Sequence, residues 1–178
     1  MGQRSQIYVA FNKNNGDRVL IARYYGWNYG SRMVSRARGL IEWIIENIDY
    51  LDYQIDKISR IADINFDFRD VVISSDIIAE SKEFCHDNNE IREYIFNQDN
   101  NDGKLFISIE DNTIKYAFTS YDSNKPMTAE EYMSWGRYKT EEKDGSNYSE
   151  NCKYLKEHSV LMTEEEIKHM MTINYSNI

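Results

Sequence analysis

The sequence predicts an α+β domain: an antiparallel sheet built from two hairpins, packed against a long central helix, with additional short helices. Three observations lead there. Two stretches of alternating apolar residues fold back on themselves at Asn- and Asp-rich turns, and one long stretch between them repeats apolar residues at helical spacing. The order of strands and helices also lacks the strand–helix–strand rhythm of a doubly wound fold. The 178 residues are expected to form a single domain, residues 1–178, of a size that buries roughly two thirds of the surface exposed by its unfolded chain.

The first hairpin pairs Gln6–Asn12, apolar at Ile7, Val9 and Phe11, with Arg18–Tyr25 across the turn Asn14-Asn15-Gly16-Asp17. Gly26 and Gly30 bracket Trp27-Asn28-Tyr29, and Ser31 or Asn28 is placed to cap a helix running from about residue 31 to at least Tyr50. Its apolar stripe is Met33, Val34, Ala37, Leu40, Ile41, Ile44, Ile45, Ile48 and Leu51. Helix continues to Arg60, and Ile64, Phe66, Phe68 and Val71-Val72-Ile73 predict a strand over 64–73. Asp76–Cys85 and Asp87–Phe96 read as helices, the second opened by the pair Asp87 and Glu90. A second hairpin joins Leu105–Glu110 to Ile114–Thr119 at Asp111-Asn112. Thr128-Ala129-Glu130-Glu131 and Thr163-Glu164-Glu165-Glu166 are capping boxes that start helices reaching about Trp135 and Met171, with a polar surface loop over 137–157 between them.

Charge is divided along the chain. Residues 1–40 carry seven basic side chains against one acid, Asp17; residues 41–178 carry fourteen basic and twenty-nine acidic ones, for a net charge of −9. The first-half bases gather in Arg23-Tyr24-Tyr25-Gly26-Trp27-Asn28-Tyr29-Gly30-Ser31-Arg32 and Arg36. Arg32 and Arg36, four apart at a helix start, share a face near its positive end. With Arg23 and the rings of Tyr25, Trp27 and Tyr29 they form a candidate anion or nucleotide site. The alternative is structural: the aromatics plug the junction of hairpin and helix while the arginines pair with local acids, as Arg38 could with Glu42 at i, i+4. The acids Glu141, Glu142, Asp144, Glu150, Glu164, Glu165 and Glu166 form a second candidate surface, able to replace phosphate charges in a partner's basic groove. Solubility and helix-dipole compensation explain the same residues.

Enzyme chemistry has little footing in these patterns. The glycine spacing is neither a dinucleotide fingerprint nor a Walker A loop. Reading Asp99–Gly103 as a calcium loop puts Gln98 and Ile109 at its first and last ligand positions, so a turn is expected instead. Cys85 and Cys152 form no metal-ligand pair, His86, His158 and His169 are dispersed, and no catalytic residue, metal or cofactor is assigned. A pairing of Cys152 with a histidine in three dimensions stays open. No long apolar run or apolar leader segment is present, which predicts a cytoplasmic protein without a membrane partner; the pattern does not fix the oligomeric state.

Met1-Gly2-Gln3-Arg4-Ser5-Gln6-Ile7-Tyr8-Val9, Tyr24-Tyr25-Gly26-Trp27-Asn28-Tyr29-Gly30 and Ser35-Arg36-Ala37-Arg38 together resemble small uncharacterised proteins of low-GC Gram-positive bacteria and their phages, over about the first 45 residues. The resemblance transfers no catalytic residue. By class, it implies an anti-defence factor of the anti-CRISPR kind, non-enzymatic and acting in the host cytoplasm on a defence protein with a basic nucleic-acid groove.

Overall fold

The structure is a computed structural model that describes residues 2–62, 73–135 and 147–178. Strands β1 (Arg4–Asn12) and β2 (Arg18–Gly26) form the first hairpin, in register from Arg4 opposite Gly26 to Asn12 opposite Arg18. Helix α1 (Ser31–Glu46) follows, then a 3-10 helix (Ile48–Tyr53), α2 (Ile55–Ile61), β3 (Ile73–Asp76), α3 (Ile77–Ser81) and α4 (Asn88–Phe96). Strands β4 (Lys104–Glu110) and β5 (Thr113–Thr119) make the second hairpin. The chain ends through α5 (Ala129–Ser134), α6 (Tyr148–His158), β6 (Val160–Leu161) and α7 (Glu164–Thr172).

The class α+β holds, but the sheet is mixed rather than antiparallel. Its order is β3-β2-β1-β4-β5-β6, with β1 parallel to β4 and β6 parallel to β5. The reason lies in the burial of β1 and β4. Every residue from Ser5 to Phe11 and from Lys104 to Ile109 is buried, as befits central strands covered on both faces. Ile7, Val9, Phe11, Leu105 and Ile107 face α1, α2, α5 and α6, whereas Tyr8, Ala10 and Phe106 face α3, α4 and α7. The helices between the hairpins therefore cover both faces, in three layers, and return the chain so that β4 runs beside β1 in the same direction.

Local differences have local causes. Gly30, at φ 54, opens α1 in place of a side-chain cap from Ser31 or Asn28. The helix stops at Glu46 rather than reaching Tyr50, because the Asn47 side chain donates back to the Trp43 carbonyl at 2.8 Å and its backbone N–H bonds Ile44. Of the strand expected over 64–73, residues 64–72 lie outside the described residues; β3 starts at Ile73 and runs to Asp76, whose side chain caps the short α3. The loop expected over 137–157 is replaced from Tyr148 onward by α6, whose buried Asn151, Cys152 and Leu155 form an inward stripe within a polar composition; residues 137–146 lie outside the described residues. The Thr128–Glu131 capping box is complete. At Thr163 only half of one forms: Thr163 accepts from the Glu166 N–H, but the Glu166 carboxylate turns to Lys115 at 3.1 Å.

The Asp99–Gly103 turn anchors the N-terminal strand. Asp102 accepts the Arg4 N–H at 2.8 Å, Asn100 donates to the Gln6 side chain, and Arg4 pairs with Asp99. Those polar side chains are thus engaged with β1.

Candidate functional site

The basic aromatic segment begins where β2 ends. Trp27 donates its backbone N–H to Gln3 at 2.7 Å and takes φ 65, a left-handed conformation that a bulky residue adopts at a cost of roughly 1–2 kcal/mol. The next residue, Asn28, is fully buried and holds the turn: it donates to Ser5 Oγ at 3.2 Å and accepts from Arg36 Nε at 3.1 Å. That combination turns the Trp27 ring outward, half exposed, on a fixed base.

The six residues read from the sequence separate into two groups. Arg36 is fully buried, its guanidinium 4.9 Å from the Tyr25 ring centre and donating to the Ala62 carbonyl. Tyr25 is buried beside it and donates to the same carbonyl at 2.7 Å. Arg23 spans to α2 and β3 through Ser59 Oγ at 3.4 Å and Ser74 Oγ at 2.5 Å. On the outer side lie Trp27, Tyr29 and Arg32; Arg32 donates to the Trp27 carbonyl at 3.2 Å and stacks 5.3 Å from the Tyr29 ring centre. A ligand approaching from solvent meets these three. The expected Arg38–Glu42 pair is present at 3.9 Å, and Arg38 also donates to Asn151 Oδ1 at 2.9 Å, joining α1 to α6.

The acids also divide. Glu141, Glu142 and Asp144 lie outside the described residues. Glu150 is exposed in the first turn of α6, on the α1 side of the sheet. Glu164 and Glu165 share Lys168 at 3.5 and 3.7 Å on α7, across the sheet from Glu150. Among the described residues, twenty acids are exposed against seven bases. Arg18, Arg36 and Lys104 are buried.

A cleft of about 290 Å³ at the α7 end joins residues that are distant in sequence: Arg18, Ser108, Glu110, Glu165, Glu166 and His169, over Met162 and Met170. Arg18 is held by Asn12 Oδ1 at 3.1 Å, Ser108 Oγ at 3.3 Å and Glu110 at 3.3 Å. The sequence reading named His169 only as a dispersed histidine and gave Arg18, Ser108 and Glu110 no site role; the parallel pairing of β1 with β4 and the packing of α7 on the sheet bring them together. Behind the cleft, burial pushes the Tyr175 phenol above its ordinary range, and Arg18 opposes that shift.

Cys152 is buried on the inner face of α6 next to Tyr148, whose phenol is pushed up chiefly by burial and then by Cys152. His158 stacks on Tyr154, ring centres 4.2 Å apart, and His86 is exposed beside the half-buried Cys85. Among the described residues, no three His, Cys, Asp or Glu side chains are placed to hold a metal, and no helix is long and apolar enough to cross a membrane. No protein-family model, curated protein or solved structure matches the chain.

Proposed function

We propose that the protein acts by binding rather than by chemistry, presenting an acidic surface to the basic nucleic-acid groove of a host defence protein, in the manner of an anti-CRISPR inhibitor. One observation supports this reading: among the described residues, exposed acids outnumber exposed bases by nearly three to one, with Arg18 and Arg36 buried and Arg4, Arg23, Arg32 and Arg38 only partly exposed. The field that reaches a partner is therefore more negative than the N-terminal sequence implies, and such a field steers association with a cationic groove. Inhibition of a nucleic-acid-binding partner should weaken steeply when Glu150, Glu164 and Glu165 are changed to lysine, and should fade with added salt. Inhibition indifferent to both would sink the reading.

A second reading takes its support from Trp27. An exposed aromatic held in a costly backbone conformation, next to the Arg32–Tyr29 stack, suits a nucleotide or signalling phosphate. Nucleotides titrated against Trp fluorescence should then give a saturable change that Arg32→Ala abolishes, and a flat titration removes this reading.

A further inference from the structure

The segment closing α1 carries an aromatic surface that neither reading uses. Residues 45–56 contain Glu46, Asp49, Asp52 and Asp56 and no base. Two turns of 3-10 helix here are pinned on both sides: Leu51 is buried in the core, and Asp52 accepts the Asn14 backbone N–H of the β1–β2 turn at 2.8 Å. Tyr50, at φ −126 and ψ 16, separates the turns and is 62% exposed; Tyr53 is 83% exposed and Ile45 37%. Among the described residues, neither tyrosine side chain has a hydrogen-bond or ring partner. Single exposed apolar residues are ordinary, but here three fall within nine positions of one pinned segment.

Exposed tyrosine rings stack equally well on nucleic-acid bases or on guanidinium planes. The neighbouring charges decide between them. Glu46, Asp49 and Asp56 are exposed within four residues of Tyr50 or Tyr53 along the chain and repel a phosphate backbone, whereas a guanidinium gains from both a ring face and a carboxylate. We infer that residues 45–56 are a docking ledge for an arginine-bearing protein surface, with Tyr50 and Tyr53 as stacking anchors and Glu46, Asp49 and Asp56 as ion-pair partners. The inference rests on the acidic-surface reading and adds where contact is anchored and which cation is preferred. Lysine offers a point charge with no plane to stack, so arginine is favoured.

The test uses two labelled short peptides, one alternating arginine with serine and one lysine with serine, plus a single-stranded DNA oligonucleotide, each titrated by fluorescence anisotropy. Wild-type protein should bind the arginine peptide more tightly than the lysine peptide and should not bind the DNA. Tyr50→Leu/Tyr53→Leu should lose about tenfold in affinity for the arginine peptide, as expected for interface aromatics, with an unchanged melting temperature. Glu83→Lys/Glu93→Lys, at exposed acids outside both proposed surfaces, should stay within about twofold. If the tyrosine variant binds like wild type while Glu150→Lys/Glu164→Lys/Glu165→Lys loses the peptide, the ledge is overturned and the acidic-surface reading stands. DNA binding that disappears with the tyrosines overturns the ledge in favour of base stacking. No binding of either peptide to wild-type protein overturns ledge and acidic-surface reading together.

Discussion

Replacing Arg36 with alanine should destabilise the fold by about 4 kcal/mol, a figure assembled from a desolvated cation–π contact of about 2 and a stranded buried acceptor of about 2. The contact is with the Tyr25 ring, 4.9 Å away. The acceptor is Asn28 Oδ1, whose hydrogen bond from Arg36 Nε is 3.1 Å long inside a fully buried site. Ala62 O adds little to the loss, because Tyr25 still donates to it at 2.7 Å. Against these losses the guanidinium's own desolvation cost is relieved, which keeps the total from being larger. Such a change removes a large part of a usual stability of about 5–15 kcal/mol. In urea unfolding followed by Trp fluorescence, with an m value of about 2 kcal/mol per M, the midpoint should fall by about 2 M. Arg32→Ala is the internal control: its side chain lies outside, so its midpoint should move by no more than about 0.5 kcal/mol equivalent. An Arg36→Ala protein as stable as wild type, yet defective in binding, would show that Arg36 faces a ligand and that the buried network is wrongly drawn.

Two further outcomes follow from the same interior. Gly103 sits at φ +92, and a Cβ there would meet the Thr119 carbonyl at 2.5 Å, between β4 and β5; Gly103→Ala should therefore cost at least about 2 kcal/mol in a thermal or urea melt. A cost near zero would place the turn elsewhere. Alkaline pH should also unfold the protein through its buried phenols. Burial raises Tyr8 and Tyr175 and pushes Tyr116 up to about 12, so the folded state retains protons that an unfolded tyrosine releases near about 10. The stabilisation is complete below about pH 10 and is lost as pH climbs toward about 12. Tyr116→Phe should flatten this slope in urea midpoints measured across that range, and an unaltered slope would remove Tyr116 as a contributor.

The hairpins were legible because turn chemistry is local. Asp111 and Asn112 take φ 48 and 63, the left-handed pair that a two-residue hairpin turn demands, and Asn and Asp tolerate it best. The Thr128 cap and the apolar stripe of α1 were legible for the same reason. What escaped depended on partners far along the chain. Tyr8 and Ala10 read as the outer face of a half-buried strand until α3, α4 and α7 cover them, and that second covered face is what lets β4 join in parallel. The same limit applied to the candidate site. Arg32 and Arg36 look equivalent at i, i+4, but α1 packs its Arg36 side on the sheet through Met33, Ala37 and Leu40, so one guanidinium goes inside. No local signal marks Trp27 as left-handed; Asn28, Ser5 and Arg36 impose it together.

Folding thus redistributes the charge asymmetry of the chain. The basic N-terminal half is not a basic surface: Arg18 and Arg36 are buried, Arg4 pairs with Asp99, and Arg38 ties α1 to α6. Burying a guanidinium is costly unless its hydrogen bonds are met, and each of these arginines has found carbonyl, amide or carboxylate partners within the sheet or the helices that flank it. The acids follow the opposite rule, sitting at helix starts and turns, where exposure costs least and helix dipoles favour them. Two sequence halves of opposite sign therefore yield a fold that buries Arg18 and Arg36 and, among the described residues, exposes more acids than bases. A partner that recognises this protein by charge meets, among the described residues, an excess of exposed acids over the seven exposed bases, with Trp27 and Arg32 forming a separate cationic aromatic corner.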